Sequence, residues 1–405
     1  MSFAVIAAAV IFAGTYVVLA IGRLPGFRLD RAGAALLGAS LMVACGVLSP
    51  AEAFRAIDGN TIALLLGMMI VAANLRLSGF FRLATNRIAL NARHPLVLLA
   101  AIVIASGLFS AFLVNDTICL VLAPLVFDVA TRLRRNPVPY LLAVAMASNC
   151  GSTATITGNP QNIVIGSLSR IPYGSFAAAL SPVAIAGLLL TIALIVLFHP
   201  REFLTKAPLE ALPERSAYHA PLMIKTLLVT LALVILFFAG APPAKMAILA
   251  GAILLLTRIV KSTKVYFEID WPLLVMFAGL FVVVAGFEKA LLSPSSVAAV
   301  GRLHLERIAV LTAVTAALSN IVSNVPAVLV LRPFVHALAD QKTAWLTVAM
   351  ASTLAGNFTV LGSVANLIVV QKAAAKGVAI GFWDYFRIGA PLTALTLVFG
   401  TLWLA

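Results

Sequence analysis

Ser148-Asn149-Cys150-Gly151-Ser152-Thr153-Ala154-Thr155-Ile156-Thr157-Gly158-Asn159-Pro160-Gln161-Asn162 is a polar stretch inside sequence that is otherwise apolar enough to cross a membrane. A matching stretch, Ser352-Thr353-Leu354-Ala355-Gly356-Asn357-Phe358-Thr359-Val360-Leu361-Gly362-Ser363-Val364-Ala365-Asn366, follows 204 residues later. Ala-Met-Ala precedes both stretches. Four positions recur under this shift: Ser148 with Ser352, Thr155 with Thr359, Gly158 with Gly362 and Asn162 with Asn366. Paired glycine-interrupted segments in the two halves of a membrane protein indicate the binding site of a transporter.

The composition indicates an integral membrane protein that crosses the bilayer several times. Of its 405 residues, 62% are hydrophobic and only 10% are charged, and several windows of about twenty residues carry almost no charge. The formal net charge of +14 is attributed to loop Lys and Arg that face anionic lipid. Nucleic-acid binding is not predicted, because no soluble basic domain is present to carry it.

The apolar segments predict eight spans, two helical hairpins and two broken helices. The hairpins cover 95–131, folded at Asn115-Asp116, and 307–339, folded at Ser323-Asn324. The broken helices cover 139–168 and 343–375. The spans are predicted at 2–21, 32–49, 60–75, 175–198, 222–240, 244–260, 271–290 and 385–405. The first of them is interpreted as a retained span, since no basic stretch precedes it.

The positions of Lys and Arg predict the orientation. With the N-terminus outside, most of the 28 Lys and Arg residues lie on the cytoplasmic side of a bacterial inner membrane, among them Arg23, Arg28, Lys206 and Arg215. An odd number of crossings then separates the two hairpins, so they enter from opposite faces. The protein is therefore predicted to be an all-α, inverted-repeat transporter whose hairpin tips and helix breaks meet near the middle of the bilayer.

The same reasoning predicts the domain organisation. Residues 1–58 are assigned to N-terminal spans, 59–199 to the first inverted repeat and 200–221 to a cytoplasmic loop. Residues 222–260 are assigned to linking spans and 271–405 to the second inverted repeat.

The hairpin tips repeat as well, with a shift of 209 residues that pairs Ser110 with Ser319 and Asn115 with Asn324. Four polar clusters are thus expected to converge, and their free backbone groups suit an anion, a hydroxylated molecule or a cation. The alternative is that small polar residues merely pack helices together. The candidate substrate-binding residues are Ser110, Asn115, Ser148, Asn149, Gly151, Ser152, Thr153, Thr155, Gly158, Asn159, Asn162, Ser319, Asn324, Ser352, Asn357, Thr359, Gly362 and Asn366.

Asp116 is the acidic residue predicted at a hairpin tip near the middle of the bilayer. A charge at that depth is costly and marks a functional site by default. Asp116, with Asn115 and Asn324, is therefore the candidate site for a coupling ion, H⁺ or Na⁺. The alternative is that Asp116 only caps the helix 117–131.

The three cysteines form no CxxC pair, and neither a metal site nor a cofactor is predicted. Cys150 lies within the first polar stretch, where a thiol could attract a metalloid such as arsenite. It is equally an ordinary buried residue.

At these motifs the chain resembles the ion transporter superfamily, which includes ArsB-like arsenite permeases, Na⁺/H⁺ antiporters of the NhaD type and divalent-anion/Na⁺ symporters. The motifs Gly59-Asn60-Thr61, Asn115-Asp116-Thr117 and Gly158-Asn159-Pro160-Gln161-Asn162 are most similar to plant silicon efflux transporters and their bacterial relatives. The resemblance implies a transport domain with two re-entrant hairpins and two broken helices beside a scaffold domain. It also implies a possible homodimer, since the divalent-anion relatives are dimers.

Together these observations predict a secondary transporter for a small molecule or ion. Proton-coupled efflux of silicic acid or arsenite is the first hypothesis, motivated by Asp116 among neutral polar residues. Na⁺- or H⁺-coupled symport of a carboxylate or oxyanion, and Na⁺/H⁺ antiport, are kept as alternatives. An enzyme is not predicted, because no HExxH, GxSxG or Walker A motif is present. A separate ATPase partner is left open.

Overall fold

The computed structural model describes residues 3–22, 26–27, 29–205, 209, 218–291 and 304–405, and the ordered elements of this part are helices. Arg23, Arg28, Lys206 and Arg215, which support the predicted orientation, lie outside the described residues. So do residues 206–208 and 210–217 of the predicted loop 200–221.

The first twelve of these helices lie between residues 3 and 238. They are α1 (Phe3–Ile21), α2 (Arg31–Ala44), α3 (Pro50–Ala56), α4 (Gly59–Ser78), α5 (Phe80–Asn91), α6 (Pro95–Phe112), α7 (Asn115–Arg132), α8 (Pro137–Ser152), α9 (Pro160–Ser169), α10 (Tyr173–Phe198), α11 (Pro200–Phe203) and α12 (Ala220–Phe238). The remaining helices are α13 (Pro243–Leu255), α14 (Ser262–Phe267), α15 (Trp271–Leu291), α16 (Ile308–Val322), α17 (Asn324–His336), α18 (Gln341–Leu354), α19 (Val364–Ala375) and α20 (Phe382–Leu404).

The predicted hairpins and broken helices are confirmed. Helices α6 and α7 form the first hairpin, and α16 and α17 form the second, with Ser323 at its turn in a positive-φ conformation (φ 79°). Residues 153–159 interrupt the first broken helix between α8 and α9, and 355–363 interrupt the second between α18 and α19. The first tip is at Leu113-Val114, so α7 starts at Asn115 and not after it.

The predicted spans are present, but two are shorter than expected. Within the described residues, seven helices are long and apolar enough to cross a membrane. Helix α2 ends at Ala44, where Gly46 adopts a left-handed conformation (φ 71°). Helix α13 ends at Leu255, where Lys225 Nζ donates to Ile253 O at 2.7 Å.

Helix α5 was not predicted from the sequence. It begins after Gly79, whose left-handed backbone (φ 84°) ends α4 and redirects the chain. Its buried face contains Phe81, Thr85 and Ala89, spaced four residues apart, as on one face of an amphipathic helix.

The scaffold consists of α1, α2, α4, α12, α13 and α15, in which α2 packs on α15 and α4 packs on α13. A Cβ on Gly67 of α4 would overlap the Ala247 backbone, and a Cβ on Gly279 of α15 would overlap the Ala35 backbone. Both glycines and both alanines are related by a shift of 212 residues. The two contacts are therefore equivalent under the inverted repeat, and small residues allow the close helix approach.

The transport domain consists of the two hairpins, the two broken helices and the long helices α10 and α20. The broken helix of each repeat packs against the hairpin of the same repeat, and α10 packs against α20. The fold is thus an all-α membrane protein with inverted repeats, a scaffold and a transport domain, as predicted. The domain boundaries remain predictions.

Candidate functional site

Each helix break is held open by one asparagine from the start of the following half-helix. Asn162 Nδ2 donates to Ser152 O at 3.1 Å and to Thr155 O at 3.0 Å. Asn366 Nδ2 donates to Gly356 O at 2.7 Å and to Thr359 O at 3.1 Å. The donor and the two acceptors of the first break correspond to the donor and the two acceptors of the second break under the shift of 204 residues. The side-chain amide thus adds hydrogen bonds to carbonyls of the break, where the regular helical bonds are interrupted; Thr155 O and Thr359 O also accept from Gly158 N and Gly362 N.

The two breaks are also joined to each other. Asn149 and Thr353 are equivalent under the same shift. Asn149 Nδ2 donates to Asn366 Oδ1 at 3.0 Å, and Asn149 Oδ1 accepts from Ser363 Oγ at 3.2 Å. On the other side, Thr353 Oγ1 accepts from Asn159 Nδ2 at 3.1 Å and lies 3.5 Å from Asn162 Oδ1. These contacts form one network with approximate twofold symmetry.

The first hairpin tip docks onto this network. The Asn115 backbone N–H donates to Gly158 O at 2.9 Å, and Asn115 Nδ2 donates to Asn149 Oδ1 at 3.1 Å. Ser110 and Ser148 share a hydrogen bond of 2.7 Å between their hydroxyl groups. The tip is therefore positioned by the break beside it.

The second hairpin tip docks in the corresponding way. Ser319 Oγ lies 2.6 Å from the Asn324 amide and donates to Ser352 O at 3.1 Å. In the amide orientation that gives both of its atoms partners, Asn324 accepts from Gln161 Nε2 at 3.3 Å and donates to Gly362 O at 3.3 Å. The Asn324 contact with Gln161 joins the second tip to the first broken helix.

A cavity of about 570 Å³ lies between the scaffold and these tips. Three of the sequence-predicted site residues line it: Asn115, Asp116 and Asn324. The others lie behind its wall, where they form or adjoin the network, namely Ser110, Ser148, Asn149, Gly151, Ser152, Thr153, Thr155, Gly158, Asn159, Asn162, Ser319, Ser352, Asn357, Thr359, Gly362 and Asn366.

The glycines of the first break serve close backbone packing in this structure. A Cβ on Gly151 would overlap the Gly107 backbone, and a Cβ on Gly158 would overlap the Ser152 carbonyl. These positions therefore require glycine even without a solute.

Several cavity residues were not predicted from the sequence. Gln161, Asn320, Ser323 and Ser363 belong to the polar stretches or the second hairpin tip and could have been found from their positions there. Asp30, Arg31 and Asp270 come from the scaffold. In the sequence these three residues lie at the ends of spans, where charged loop residues are common. Their position at the cavity is therefore visible only in the folded structure.

Four helix N-termini surround the cavity. Helices α7, α9, α17 and α19 begin at Asn115, Pro160, Asn324 and Val364, and all four residues line it. The N-terminus of a helix carries partial positive charge and unpaired N–H groups. The cavity therefore offers hydrogen-bond donors from both repeats to the oxygen atoms of a solute.

Asp116 is half-buried in the first turn of α7, whose N-cap residue is Val114. The capping role considered for Asp116 is thus not the arrangement found. Its carboxylate lies near the Ala365 backbone N–H of α19 and interacts across the cavity with Asp270. A carboxylate of the first repeat is therefore placed at the second break.

The other two carboxylates that line the cavity accept hydrogen bonds from the first turns of scaffold helices. Asp30 Oδ1 accepts from Gly33 N at 2.8 Å, and Asp270 Oδ1 accepts from Leu273 N at 3.0 Å. Among the described residues that line the cavity, Arg31 is the cation, and its Nε donates to Leu19 O at 3.1 Å. Carboxylates thus outnumber cations in this part of the site.

Cys150 is fully buried and lies outside the cavity lining. Its Sγ accepts from Asn357 Nδ2 at 3.3 Å. Across the described residues, His, Cys, Asp and Glu form no group of three or more that could hold a metal ion. The thiol therefore contributes to the network between the breaks.

A multi-pass helical membrane protein with paired hairpins and paired helix breaks around a solvent-accessible cavity is a membrane transporter. The chain belongs to the CitMHS family, described as citrate transporter, whose family model matches residues 16–355. It thereby belongs to the ion transporter superfamily, as the motif resemblance predicted.

Relatives over nearly the whole chain agree. An uncharacterised transporter of Mycobacterium tuberculosis is 30% identical over 98% of this chain and 97% of its own length. The silicon efflux transporter LSI3 of rice, Oryza sativa subsp. japonica, is 28% identical over 93% of this chain and 92% of its own length.

One solved structure supports the fold. The YdaH transporter of Alcanivorax borkumensis, whose crystal structure is described as having an unusual topology, superposes with a TM-score of 0.62. It covers 99% of this chain and 96% of its own at 16% sequence identity. The similarity establishes a common architecture.

Proposed function

We propose that this protein is a secondary transporter that exports a small hydroxylated metalloid, silicic acid or arsenous acid, in exchange for protons by alternating access. The observation that carries this proposal is the placement of Asp116. It is a carboxylate of the first hairpin tip that does not cap its own helix and that faces both the second helix break and the cavity.

The lining of the cavity suits a neutral hydroxylated solute. Each hydroxyl of such a molecule donates one hydrogen bond and accepts others. Amides of Asn115, Gln161 and Asn324 and hydroxyl groups of Ser323 and Ser363 line the cavity, and the first turns of α7, α17 and α19 bring backbone N–H groups to it. The excess of carboxylates opposes a multiply charged anion, because like charges at short range repel.

Asp116 supplies a mechanism for coupling. A carboxylate within the membrane-spanning part of a protein exists more easily in its neutral, protonated form. Protonation of Asp116 would remove its charge from the Ala365 N–H and from Asp270, and solute binding would favour one of the two states. Na⁺ at the same carboxylate is the alternative coupling ion.

A second candidate is symport of an anion such as a carboxylate or oxyanion. Arg31 in the cavity and the four helix N-termini around it favour this function. The description of the family as citrate transporters agrees with it. Na⁺/H⁺ antiport is a third candidate, again through Asp116.

The proposal also covers the location of the protein, its orientation in the membrane and its source of energy. We place the protein in the bacterial inner membrane with its N-terminus outside, so the cavity opens to the cytoplasm at Arg31 and Asp270. An ion gradient then supplies the energy.

The test uses purified protein in proteoliposomes with an imposed pH gradient and a pH-sensitive dye inside. Silicic acid, arsenous acid, Na⁺ and citrate are added in turn, and empty liposomes are the control. A proton flux evoked by one of the two metalloids is the expected result. A flux evoked only by citrate would transfer the protein to the anion symporters, and one evoked only by Na⁺ would identify an antiporter.

A further inference from the structure

Asp58 and Asp270 occupy equivalent places at the starts of two scaffold helices. They are related by the 212-residue shift that also relates Gly67 to Gly279, and each follows an isoleucine. Asp58 Oδ1 accepts from Thr61 N at 2.7 Å at the start of α4, and Asp270 performs the same function for α15. The two carboxylates therefore have the same local role, which is to cap the N-terminus of a scaffold helix.

Their contacts with the transport domain differ. Both oxygens of Asp58 lie 2.9 Å from Ser167 Oγ on α9, so Asp58 joins the scaffold to the first broken helix. Asp270 is exposed and faces the cavity. Under the 204-residue shift of the breaks, Ser167 corresponds to Gln371 on α19. A side-chain donor is therefore present at the position that would meet Asp270.

Gln371 lies on the side of α19 that faces the cavity. Val364 and Leu367 of this helix line the cavity, as Asp270 does. Gln371 follows Leu367 by four residues and therefore shares its face, and it is exposed. Movement of α19 toward the scaffold would bring the Gln371 amide to the Asp270 carboxylate.

A second cavity marks the opposite end of the same interface. It has a volume of about 420 Å³ and is lined by Asn60 and Leu64 of α4, whose equivalents Pro272 and Met276 line the first cavity. Ser167 also lines it. The structure thus has a larger cavity beside Asp270, which shares no hydrogen bond with Gln371 among the described residues, and a smaller cavity beside the contact between Asp58 and Ser167.

We propose that Asp58 and Asp270 are reciprocal latches of the transport cycle. Asp58 bound to Ser167 closes the end of the protein that carries the smaller cavity, and this is the state of the present structure. In the opposite state Asp270 accepts a hydrogen bond from Gln371, the Asp58 contact with Ser167 is released and the smaller cavity widens. Two states related by exchange of inverted repeats are the expected basis of alternating access. This inference rests on the alternating-access part of the proposed function and is independent of the cargo.

Disulfide trapping in proteoliposomes tests the latches without any solute. The pairs Asp58→Cys with Ser167→Cys and Asp270→Cys with Gln371→Cys are oxidised with copper phenanthroline, and linked peptides are quantified by mass spectrometry. The matched control is Asp270→Cys with Val369→Cys, since Val369 lies on the buried face of α19, away from Gln371. Both test pairs are expected to form disulfides, and the control pair is not.

A second measurement excludes a merely structural role for Ser167. Ser167→Ala removes the hydrogen-bond donor to Asp58. It leaves intact the N-cap contact in which Asp58 Oδ1 accepts from Thr61 N. It is expected to raise the rate of the disulfide between positions 270 and 371 by about tenfold, because a hydrogen bond to a charged group holds the closed state. Thr131→Ala, at an exposed hydroxyl on α7, is the control and should leave the rate unchanged.

Three results would overturn the proposal. They are the absence of the 58–167 disulfide, a 270–371 disulfide no faster than that of the control pair, and a rate that Ser167→Ala does not change. Because the disulfides form without cargo, a failure of metalloid transport with successful trapping would reject the proposed cargo and keep the latches.

Discussion

Asn149 Nδ2 of the first broken helix donates a hydrogen bond of 3.0 Å to Asn366 Oδ1 of the second, and both side chains are fully buried. Asn366 in turn holds two carbonyl groups of its own break. One chain of side-chain contacts thus runs through both breaks. The two broken helices, with the hairpins docked on them, are expected to move together as one transport domain, since separating them would leave these buried groups without partners.

Asp116→Asn is expected to reduce solute-driven proton flux to the level of empty liposomes. The amide is nearly isosteric with the carboxyl group but cannot bind and release a proton at neutral pH. The matched control is Asp128→Asn on the same helix, because Asp128 pairs with Lys376 at 3.1 Å and lies outside the cavity lining. Full proton-driven flux in the Asp116 variant would reject the coupling role.

Asn162→Ala and Asn366→Ala are each expected to destabilise the folded protein by roughly 1–3 kcal/mol. Either change removes two hydrogen bonds to carbonyl groups of a break, and each such bond contributes about 0.5–1.5 kcal/mol. Asn91→Ala, at the exposed end of α5, is the control. Thermal unfolding in detergent measures the difference, and a Tm equal to that of the control would show that the breaks do not need these amides.

Arg31→Gln distinguishes the two main candidate functions. Metalloid export should persist within about threefold, because a neutral solute needs no cation. Anion transport should fall by roughly tenfold or more, since losing a charge-assisted hydrogen bond costs about 1.5–3 kcal/mol. Initial rates from the proteoliposome assay give both values. A tenfold loss of metalloid export would contradict the proposed neutral cargo.

Gly67→Ala and Gly279→Ala are expected to destabilise the scaffold by about 1–3 kcal/mol each, as overpacking does. Each added methyl group would overlap the backbone of the facing helix. Gly14→Ala is the control, because no atom lies within 4 Å of the place its Cβ would take. Equal Tm values for all three variants would show that the helices can separate without cost.

The stability of the fold is expected to depend on pH through Glu52, which lies on the short helix α3 outside the spans. Hydrogen bonds from Lys289 and from Ser49 lower the pKa of Glu52 to about 2. A carboxyl group with a lowered pKa stabilises the fold above its unfolded pKa, about 4.3, and this contribution is lost as the pH falls toward 2. The effect is small because the pair is exposed to solvent.

Glu52→Gln tests this dependence, since glutamine keeps the capping box with Ser49 and removes only the charge. The variant should have a slightly lower Tm than the parent protein at pH 6, and the difference should shrink as the pH is lowered from 5 toward 3. A difference that grows with acidification would contradict the sign.

Much of the fold was predictable because long apolar segments, interrupted by polar stretches, have few other stable arrangements in a bilayer. The repeats were predictable from the shifts of 204 and 209 residues. Helix α5 and the early ends of α2 and α13 were not, because they depend on the left-handed backbones at Gly79 and Gly46 and on the contact of Lys225 with α13.

The candidate site was only partly predictable. Asp116, Asn115 and Asn324 line the cavity, and their role as site residues stays a prediction. Sequence pattern does not separate an asparagine that faces a solute from one that satisfies broken backbone, since both occur in the same polar stretch. Asn162 and Asn366 are of the second kind in this structure.

By itself, the sequence determined the membrane setting, the inverted repeats and the polar residues at the tips and breaks, because hydropathy and internal repetition are local properties of the chain. Only the tertiary structure decided which of those residues face the cavity and which join the breaks. It also brought Asp30, Arg31 and Asp270 of the scaffold to the cavity. Such contacts depend on how distant helices pack, and no local pattern in the chain records that packing.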